Sequence, residues 1–334
     1  MKRIFLLTAL IAFCAVYAFC QLSFNNSGKF KIVQFTDLHI KYGNPMSDVA
    51  IQCIEEVVDT EKPDLVIFTG DIIYAAPGRD GLDAAIKPLE QRGIPFAVTL
   101  GNHDDEQDLS RSEVYAHARS FKNCIQKDDE NYVIEIAGKN NKISAIIYCM
   151  DSHAYTLLEG VGKYGWHSRE QVNWYADTSA RYTAANGGTP LMALAFFHIP
   201  LPEYQYASVI DGHPLIGTRR EKVTCPVLNS GLYTAMRECG DVAGIFAGHD
   251  HNNDYTTIWH GILLAYGRFS GGNTVYNHLS NGARVIEITE GSREITTWLR
   301  LRGGALIDRT YFPKSYETDK WRERTEPLAP DPLN

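Results

Sequence analysis

Between residues 29 and 121 the chain repeats one phrase three times: a short apolar run, a polar tip, then a segment with apolar residues at helical spacing. Lys29 to Thr36 alternates and then runs apolar before Asp37-Leu38-His39, Leu65 to Phe68 runs apolar before Thr69-Gly70-Asp71, and Ile94 to Leu100 ends at Gly101-Asn102-His103-Asp104. In between, Pro45 to Glu61 places Val49, Cys53, Ile54, Val57 and Val58 on one helical face, with Ser47 or Asp48 as N-cap. Gly81 to Arg92 predicts a second helix, and helix-like residues run on to about Phe121. Strands alternating with helices predict βαβ units with right-handed crossovers and a largely parallel sheet.

After Phe121 the pattern changes. Tyr132 to Ile136 and Ile143 to Tyr148 flank Gly138-Lys139-Asn140-Asn141 and predict a β-hairpin, hence a second and more antiparallel sheet. Ser168-x-x-Gln171 is a capping box opening a helix to about Ala185, closed by Asn186-Gly187-Gly188. Two further buried strands follow, Leu191 to Phe197 tipped by His198-Ile199-Pro200, and Val242 to Ala247 tipped by Gly248-His249-Asp250-His251. Pro202 to Leu228 is a long functional loop, and Leu232 to Cys239 is helical. Short strands are expected at Ile262 to Tyr266, Arg284 to Ile288 and Glu294 to Leu299. No Gly/Ser linker or repeat divides the chain, so residues 21–312 are expected to form one domain, with residues 313–334 a charged, Pro-rich surface tail.

The first twenty residues stand apart. Lys2 and Arg3 precede an apolar run, Ile4 to Phe19, too short for a comfortable span but suited to a signal peptide. Residues 1–20 therefore predict export to a periplasm or the extracellular space, with no stable membrane span after cleavage. Bulky Phe19 argues against a lipoprotein acylated on Cys20. Losing Lys2 and Arg3, the only charges in that segment, takes the net charge from −8 to −10. A chain this acidic gains nothing from counterion release, which argues against general nucleic-acid binding. Small phosphorylated substrates remain compatible, because metal ions reverse the local field. The five cysteines after the leader show no C-x-x-C spacing, so neither a zinc knuckle nor a disulfide framework is implied; Cys53 and Cys149 fall in apolar patterns and read as core, leaving room for one bridge among the others.

The polar tips draw on a narrow chemistry: Asp37, His39, Asp71, Asn102, His198, His249 and His251. Carboxylate, imidazole and amide oxygen suit borderline metals such as zinc, iron and manganese, and the absence of thiolate argues against a purely structural zinc site. Seven donors exceed the need of one four-coordinate ion but suit two ions sharing a carboxylate. Such a pair binds a phosphoryl oxygen, generates hydroxide and stabilises in-line displacement, which is phosphoester hydrolysis.

Asp37-x-His39, Gly70-Asp71, Gly101-Asn102-His103-Asp104, His198 and Gly248-His249-x-His251, in this order, resemble the five-block signature of the calcineurin-like metallophosphoesterases. Phe196-Phe197-His198-Ile199-Pro200-Leu201-Pro202-Glu203-Tyr204 and Asn229-Ser230-Gly231 further resemble the branch related to purple acid phosphatases. The resemblance implies a four-layer α/β/β/α sandwich of two mixed sheets, with two divalent or trivalent ions (Mn, Fe or Zn) at the sheet ends. It implies that Asp37, His39, Asp71 and His251 hold one ion, and Asp71, Asn102, His198 and His249 the other. His103 matches the family's non-ligand histidine, which protonates the leaving alkoxide or stabilises phosphoryl charge. Asp104 is expected to orient His103. Purple acid phosphatases usually carry Gly where His39 stands and use a tyrosine three residues after the bridging Asp. Since His39 is present, it is the expected ligand and Tyr74 a neighbour. Arg219, Arg220, Asn229, Arg268 and the Gly271-Gly272 turn are candidates for the pocket wall, while His153, His167, His213, His260 and His278 belong to no block.

Overall fold

The computed structural model describes residues 22–128, 130–162 and 164–317. The leader expected at residues 1–20 and most of the expected tail lie outside these. The elements run, in chain order, β1 (Lys29–Phe35), α1 (Pro45–Glu61), β2 (Leu65–Thr69), α2 (Gly78–Arg92), β3 (Phe96–Thr99), α3 (Arg111–Arg119), β4 (Asn131–Ala137) and β5 (Ile143–Met150). They continue with α4 (Arg169–Ala185), β6 (Met192–Phe196), α5 (Glu203–Gln205), α6 (Leu232–Cys239), β7 (Val242–Ala247), β8 (Thr256–Trp259), β9 (Ile262–Tyr266), β10 (Gly282–Thr289), β11 (Ile295–Leu301) and β12 (Leu306–Phe312).

Local chemistry explains the helix ends. Asn44, rather than Ser47 or Asp48, caps α1 by accepting the Met46 N–H at 2.9 Å, and Lys62 closes it in the left-handed region. Ser168 and Gln171 form the capping box at the start of α4.

Two six-stranded sheets result, ordered β12-β11-β10-β1-β2-β3 and β4-β5-β6-β7-β9-β8. In the first, β1, β2 and β3 are parallel and β10 to β12 extend the sheet antiparallel. In the second, β5, β6, β7 and β9 are parallel, while β4 and β8 pair antiparallel at the two edges. The hairpin therefore forms only one edge, and the second sheet is the more parallel of the two. Hairpin signals are local, whereas the pairing of β5 with β6 joins strands separated by α4.

An apolar layer between the sheets contains Ile32, Ile67, Ile147, Leu194, Phe246 and Ile286. The outer faces are covered by α1, α2 and α3 on the first sheet and by α4 and α6 on the second, each over its own core. The architecture is the α/β/β/α sandwich of two mixed sheets. Strands β8 and β12 were not visible in the pattern. Within the expected tail, Tyr316 is buried and its hydroxyl donates to Thr256 Oγ1 at 2.8 Å. All five cysteines of the described chain are free. No helix among the described residues is long and apolar enough to cross a membrane.

Candidate metal centre

The carboxyl ends of β1, β2 and β3 in one sheet and of β6 and β7 in the other point to a common cleft, where open α/β sheets place their ligands. Backbone hydrogen bonds stitch the tips together. Asp37 N donates to Gly70 O at 3.1 Å, His39 N to Asp71 O at 2.9 Å, and Gly248 N to His198 O at 2.9 Å. The glycines ahead of the ligands are required by this crowding. A Cβ on Gly101 would strike the Asp71 carboxylate, and one on Gly248 would strike Thr36 Oγ1 and lie 3.0 Å from Asp37 Oδ2.

Two donor groups converge: Asp37, His39, Asp71 and His251, and Asp71, His198 and His249, with their ligand atoms within 4.8 Å of one another in each group and every residue buried. Asp71 belongs to both, its Oδ2 lying 3.2 Å from His198 Nε2 and 3.6 Å from His39 Nε2. Its other oxygen accepts the His103 N–H at 2.9 Å. Asn102, expected in the second group, has a buried Oδ1 with no partner while its Nδ2 donates to the Tyr155 hydroxyl at 3.2 Å. An orphaned buried carbonyl oxygen is costly unless a cation meets it.

The histidine tautomers fit the same reading. His198 Nδ1 donates to Thr69 O at 2.7 Å and His251 Nδ1 to Tyr276 O at 2.8 Å, which turns both Nε2 atoms inward, where each offers a lone pair to a cation once it carries no proton. His39 Nε2 and His251 Nε2 stand 3.0 Å apart, and His249 Nδ1 stands 3.3 Å from His198 Nε2. Nitrogens brought this close share either a proton or a cation between them. Burial depresses His39 and His249 well below the usual histidine range. Burial opposes ionisation of Asp71, but the surrounding imidazoles, His198 foremost, hold its pKa well below the carboxylate range, and Asp71 in turn lifts His198 to about 9 against the pull of burial.

Four of these residues also carry backbone strain. Asp37, His39, Asp71 and His249 adopt φ of 56°, 48°, 51° and 79°, a region that costs a non-glycine residue about 1–3 kcal/mol. Such strain persists where surrounding contacts over-determine it.

Asp104 does not orient His103. Its Oδ2 accepts the N–H groups of Asp71 (2.8 Å) and Gly101 (2.7 Å), and its Oδ1 those of Ile72 (2.7 Å) and Ile73 (3.0 Å). It is fully buried, and burial together with the charge of Asp71 pushes its pKa up to about 6 against the pull of those N–H groups. A carboxylate at the end of a tight turn is drawn to unpaired backbone donors before it is drawn to a side chain. His103 Nδ1 instead meets Glu106 Oε2 at 2.5 Å, and its ring packs 5.4 Å from that of His39. The i,i+3 spacing of His103 and Glu106 was visible in the sequence, but Glu106 was lost there among neighbouring acidic residues.

Tyrosines form part of the rim. Tyr74 packs edge-on against His39 and His103, Tyr164 against His249, and Tyr276 lies over His251 at 4.4 Å. Of these only Tyr74 was anticipated, and it is a neighbour of His39. Arg219 Nη1 donates to Ser208 O, Arg220 Nη1 reaches His278 O, Arg268 is paired with Asp254, and Asn229 Nδ2 donates to Glu203 Oε1. His167 lies against Phe197, away from the two donor groups.

A family profile described as calcineurin-like phosphoesterase matches residues 30–253. The chain belongs to the calcineurin-like phosphoesterases. Within them it is 31% identical to a protein of Arabidopsis thaliana named probable inactive purple acid phosphatase 14, over 86% of this chain and 85% of the relative. It is 32% identical to phosphatase DCR2 of Saccharomyces cerevisiae over 85% of this chain and 55% of that protein. A dimetal phosphatase from Danio rerio shares the fold with a TM-score of 0.58 at 15% identity, covering 84% of this chain and 98% of that one. Membership of this family and the two donor groups together support hydrolase chemistry at a two-metal centre.

Proposed function

We propose that this calcineurin-like phosphoesterase is an exported hydrolase of small phosphomonoesters that works with two metal ions. The observation that carries the reading is the pair of donor groups that share Asp71, together with the buried, unpartnered Asn102 Oδ1. Asp37, His39, Asp71 and His251 would hold one ion; Asp71, Asn102, His198 and His249 would hold the other. Ions of this kind supply Lewis acidity to a phosphoryl oxygen and a more acidic water. Asp71 keeps the two groups in register, the Thr69 and Tyr276 carbonyls fix the inward nitrogens of His198 and His251, and the buried setting limits bulk water. His103 is left out of both groups with a quarter of its side chain exposed, and delivers a proton to the departing alkoxide. The choice of monoesters over diesters rests on the names of relatives more than 30% identical, which are phosphatases, whereas a relative 24% identical is named a probable glycerophosphodiester phosphodiesterase.

The test is a chromogenic screen of the full mature chain with para-nitrophenyl phosphate and its bis ester, with manganese, zinc or iron added. Turnover faster on the monoester is expected, and His103→Ala should lower it by about 10²–10⁴-fold. A preference for the bis ester would make the protein a diesterase. Uniform silence would favour a second reading, a metal-loaded binding module, which the word inactive in the plant relative's name brings forward. Export rests on the leader-like residues 1–20. N-terminal sequencing of the secreted protein should start at Phe19 or Gln21; an intact Met1 or an acylated Cys20 would overturn cleavage as drawn.

A further inference from the structure

Behind His103 stands a network that the metal ligands do not explain. Glu106 places one oxygen, Oε2, 2.5 Å from His103 Nδ1 and accepts the Tyr155 hydroxyl on the other, Oε1, at 3.0 Å. That hydroxyl in turn accepts from Asn102 Nδ2 at 3.2 Å. His103, Glu106, Tyr155 and Asn102 thus form one chain of hydrogen bonds, built from the tip of β3 and from the segment between β5 and α4. Two consequences follow from elementary chemistry. With Nδ1 engaged by a carboxylate, the ring nitrogen left for substrate is Nε2, and the ring can neither flip nor swing without giving up a charge-assisted bond. With Nδ2 engaged by Tyr155, Asn102 must present its oxygen, not its nitrogen, to the centre.

We propose that Glu106 and Tyr155 are positioning residues for the leaving-group step, fixing His103 so that its Nε2 proton is aimed at the departing oxygen while the same network sets the flip state of Asn102. The inference rests on the phosphoesterase reading above. In the step, a water oxygen forms a bond to phosphorus as the bond from phosphorus to the ester oxygen breaks. The Nε2 proton passes to that ester oxygen, which leaves as an alcohol. The proton lost by the attacking water goes to solvent, His103 regains one from solvent, and the Nδ1 proton stays on the ring throughout, held by Glu106. Tyr155 gives the carboxylate, itself 39% exposed, its second hydrogen bond and restrains its rotation away from His103.

A merely structural Glu106 would lower all rates alike, whereas an acid-positioning Glu106 matters most for esters that leave badly. The experiment therefore measures kcat/KM of the metal-loaded full chain over a leaving-group series from 2,4-dinitrophenyl phosphate through phenyl phosphate to ethyl phosphate. Glu106→Gln is expected to lose about 100-fold on the ethyl ester and less than about 5-fold on the dinitrophenyl ester, as loss of acid assistance predicts. Tyr155→Phe should shift the series in the same direction by a smaller factor. In a His103→Ala background, Glu106→Gln should add no further leaving-group dependence, because the residue reaches the departing oxygen only through that ring. An equal loss across the series, or a further leaving-group dependence in the double variant, would overturn the proposal.

Two readouts independent of turnover accompany it. Metal content by elemental analysis should be unchanged in Glu106→Gln. Proton NMR with ¹⁵N-histidine should show a far-downfield His103 Nδ1 proton in the parent chain that disappears in Glu106→Gln; its absence from the parent would overturn the proposal even if the protein is active. A parent chain that shows this proton but turns over none of the esters would sink the phosphoesterase reading, and the leaving-group role with it, while leaving the hydrogen bond in place.

Discussion

Asp104 accepts the backbone N–H of Asp71 at 2.8 Å, so a carboxylate on the β3 tip holds the turn that carries the central ligand on the β2 tip. The same carboxylate takes three more backbone N–H groups, from Ile72, Ile73 and Gly101. Replacing Asp104 with Asn sets an amide NH₂ against two of those donors. Leaving buried donors unpaired costs about 1–3 kcal/mol each, so Asp104→Asn should lose roughly 2–6 kcal/mol of stability. Urea unfolding of both chains reads this directly, and an unchanged midpoint would show that the carboxylate is dispensable.

Metal removal should destabilise this protein well beyond the loss of its coordination bonds in number. Asp37, His39, Asp71 and His249 all sit at positive φ, and across the two donor groups inward atoms crowd together, His39 Nε2 lying 3.0 Å from His251 Nε2 and Asp71 Oδ2 lying 3.2 Å from His198 Nε2 and 3.6 Å from His39 Nε2. Ions bound to the folded chain alone raise its stability by about 2.7 kcal/mol at a hundredfold excess over Kd. Dialysis against a chelator should therefore lower Tm, and readdition of manganese, zinc or iron should restore it. Asp71→Asn should respond to neither treatment and should bind less than one ion per chain by elemental analysis. Two retained ions would remove Asp71 from its place between the two groups.

The loop bearing Asn102 is anchored from the other sheet. Arg111 donates to Gly101 O at 2.7 Å and Leu100 O at 3.0 Å while pairing with the fully buried Asp151 at 2.5 and 2.7 Å. Burial opposes ionisation of Asp151, yet Arg111 outweighs it and holds the pKa below the ordinary 3.8. A carboxylate depressed in the folded state contributes stability that is complete above its unfolded pKa and is lost as pH falls through the folded one. The parent chain should thus weaken as pH drops below about 4 more steeply than Asp151→Asn does. At pH 7 that variant, which leaves Arg111 only the partly exposed Asp105 at 3.3 Å as a carboxylate partner, should be less stable by up to about 3–5 kcal/mol. Urea midpoints at pH 7, 4 and 3 provide the comparison, and parallel curves would exclude Asp151 as a source of the acid sensitivity.

The legible parts of this protein were local. Apolar runs ending in Asp37, Asp71, Asn102, His198 and His249 revealed the strands and the donors at their tips, because burial demands apolar residues within a strand and lets polar ones gather only where it ends. The capping box at Ser168 and Gln171 stood out for a similar reason, since its two bonds close within four residues. Strands β8 and β12 were hidden, because four-residue β8 opens with the buried but polar Thr256 and Thr257, and β12 carries exposed positions that weaken its apolar signal.

What the sequence determined by itself was therefore the supply of strands, helices and metal donors, together with their order along the chain. Only the tertiary structure decided how they were spent. It made the second sheet the more parallel one, turned Asp104 towards four backbone N–H groups, and gave His103 to Glu106. The reason is physical: a buried hydrogen bond goes to whichever partner the packed backbone brings within 3 Å, and residue type alone does not specify that distance.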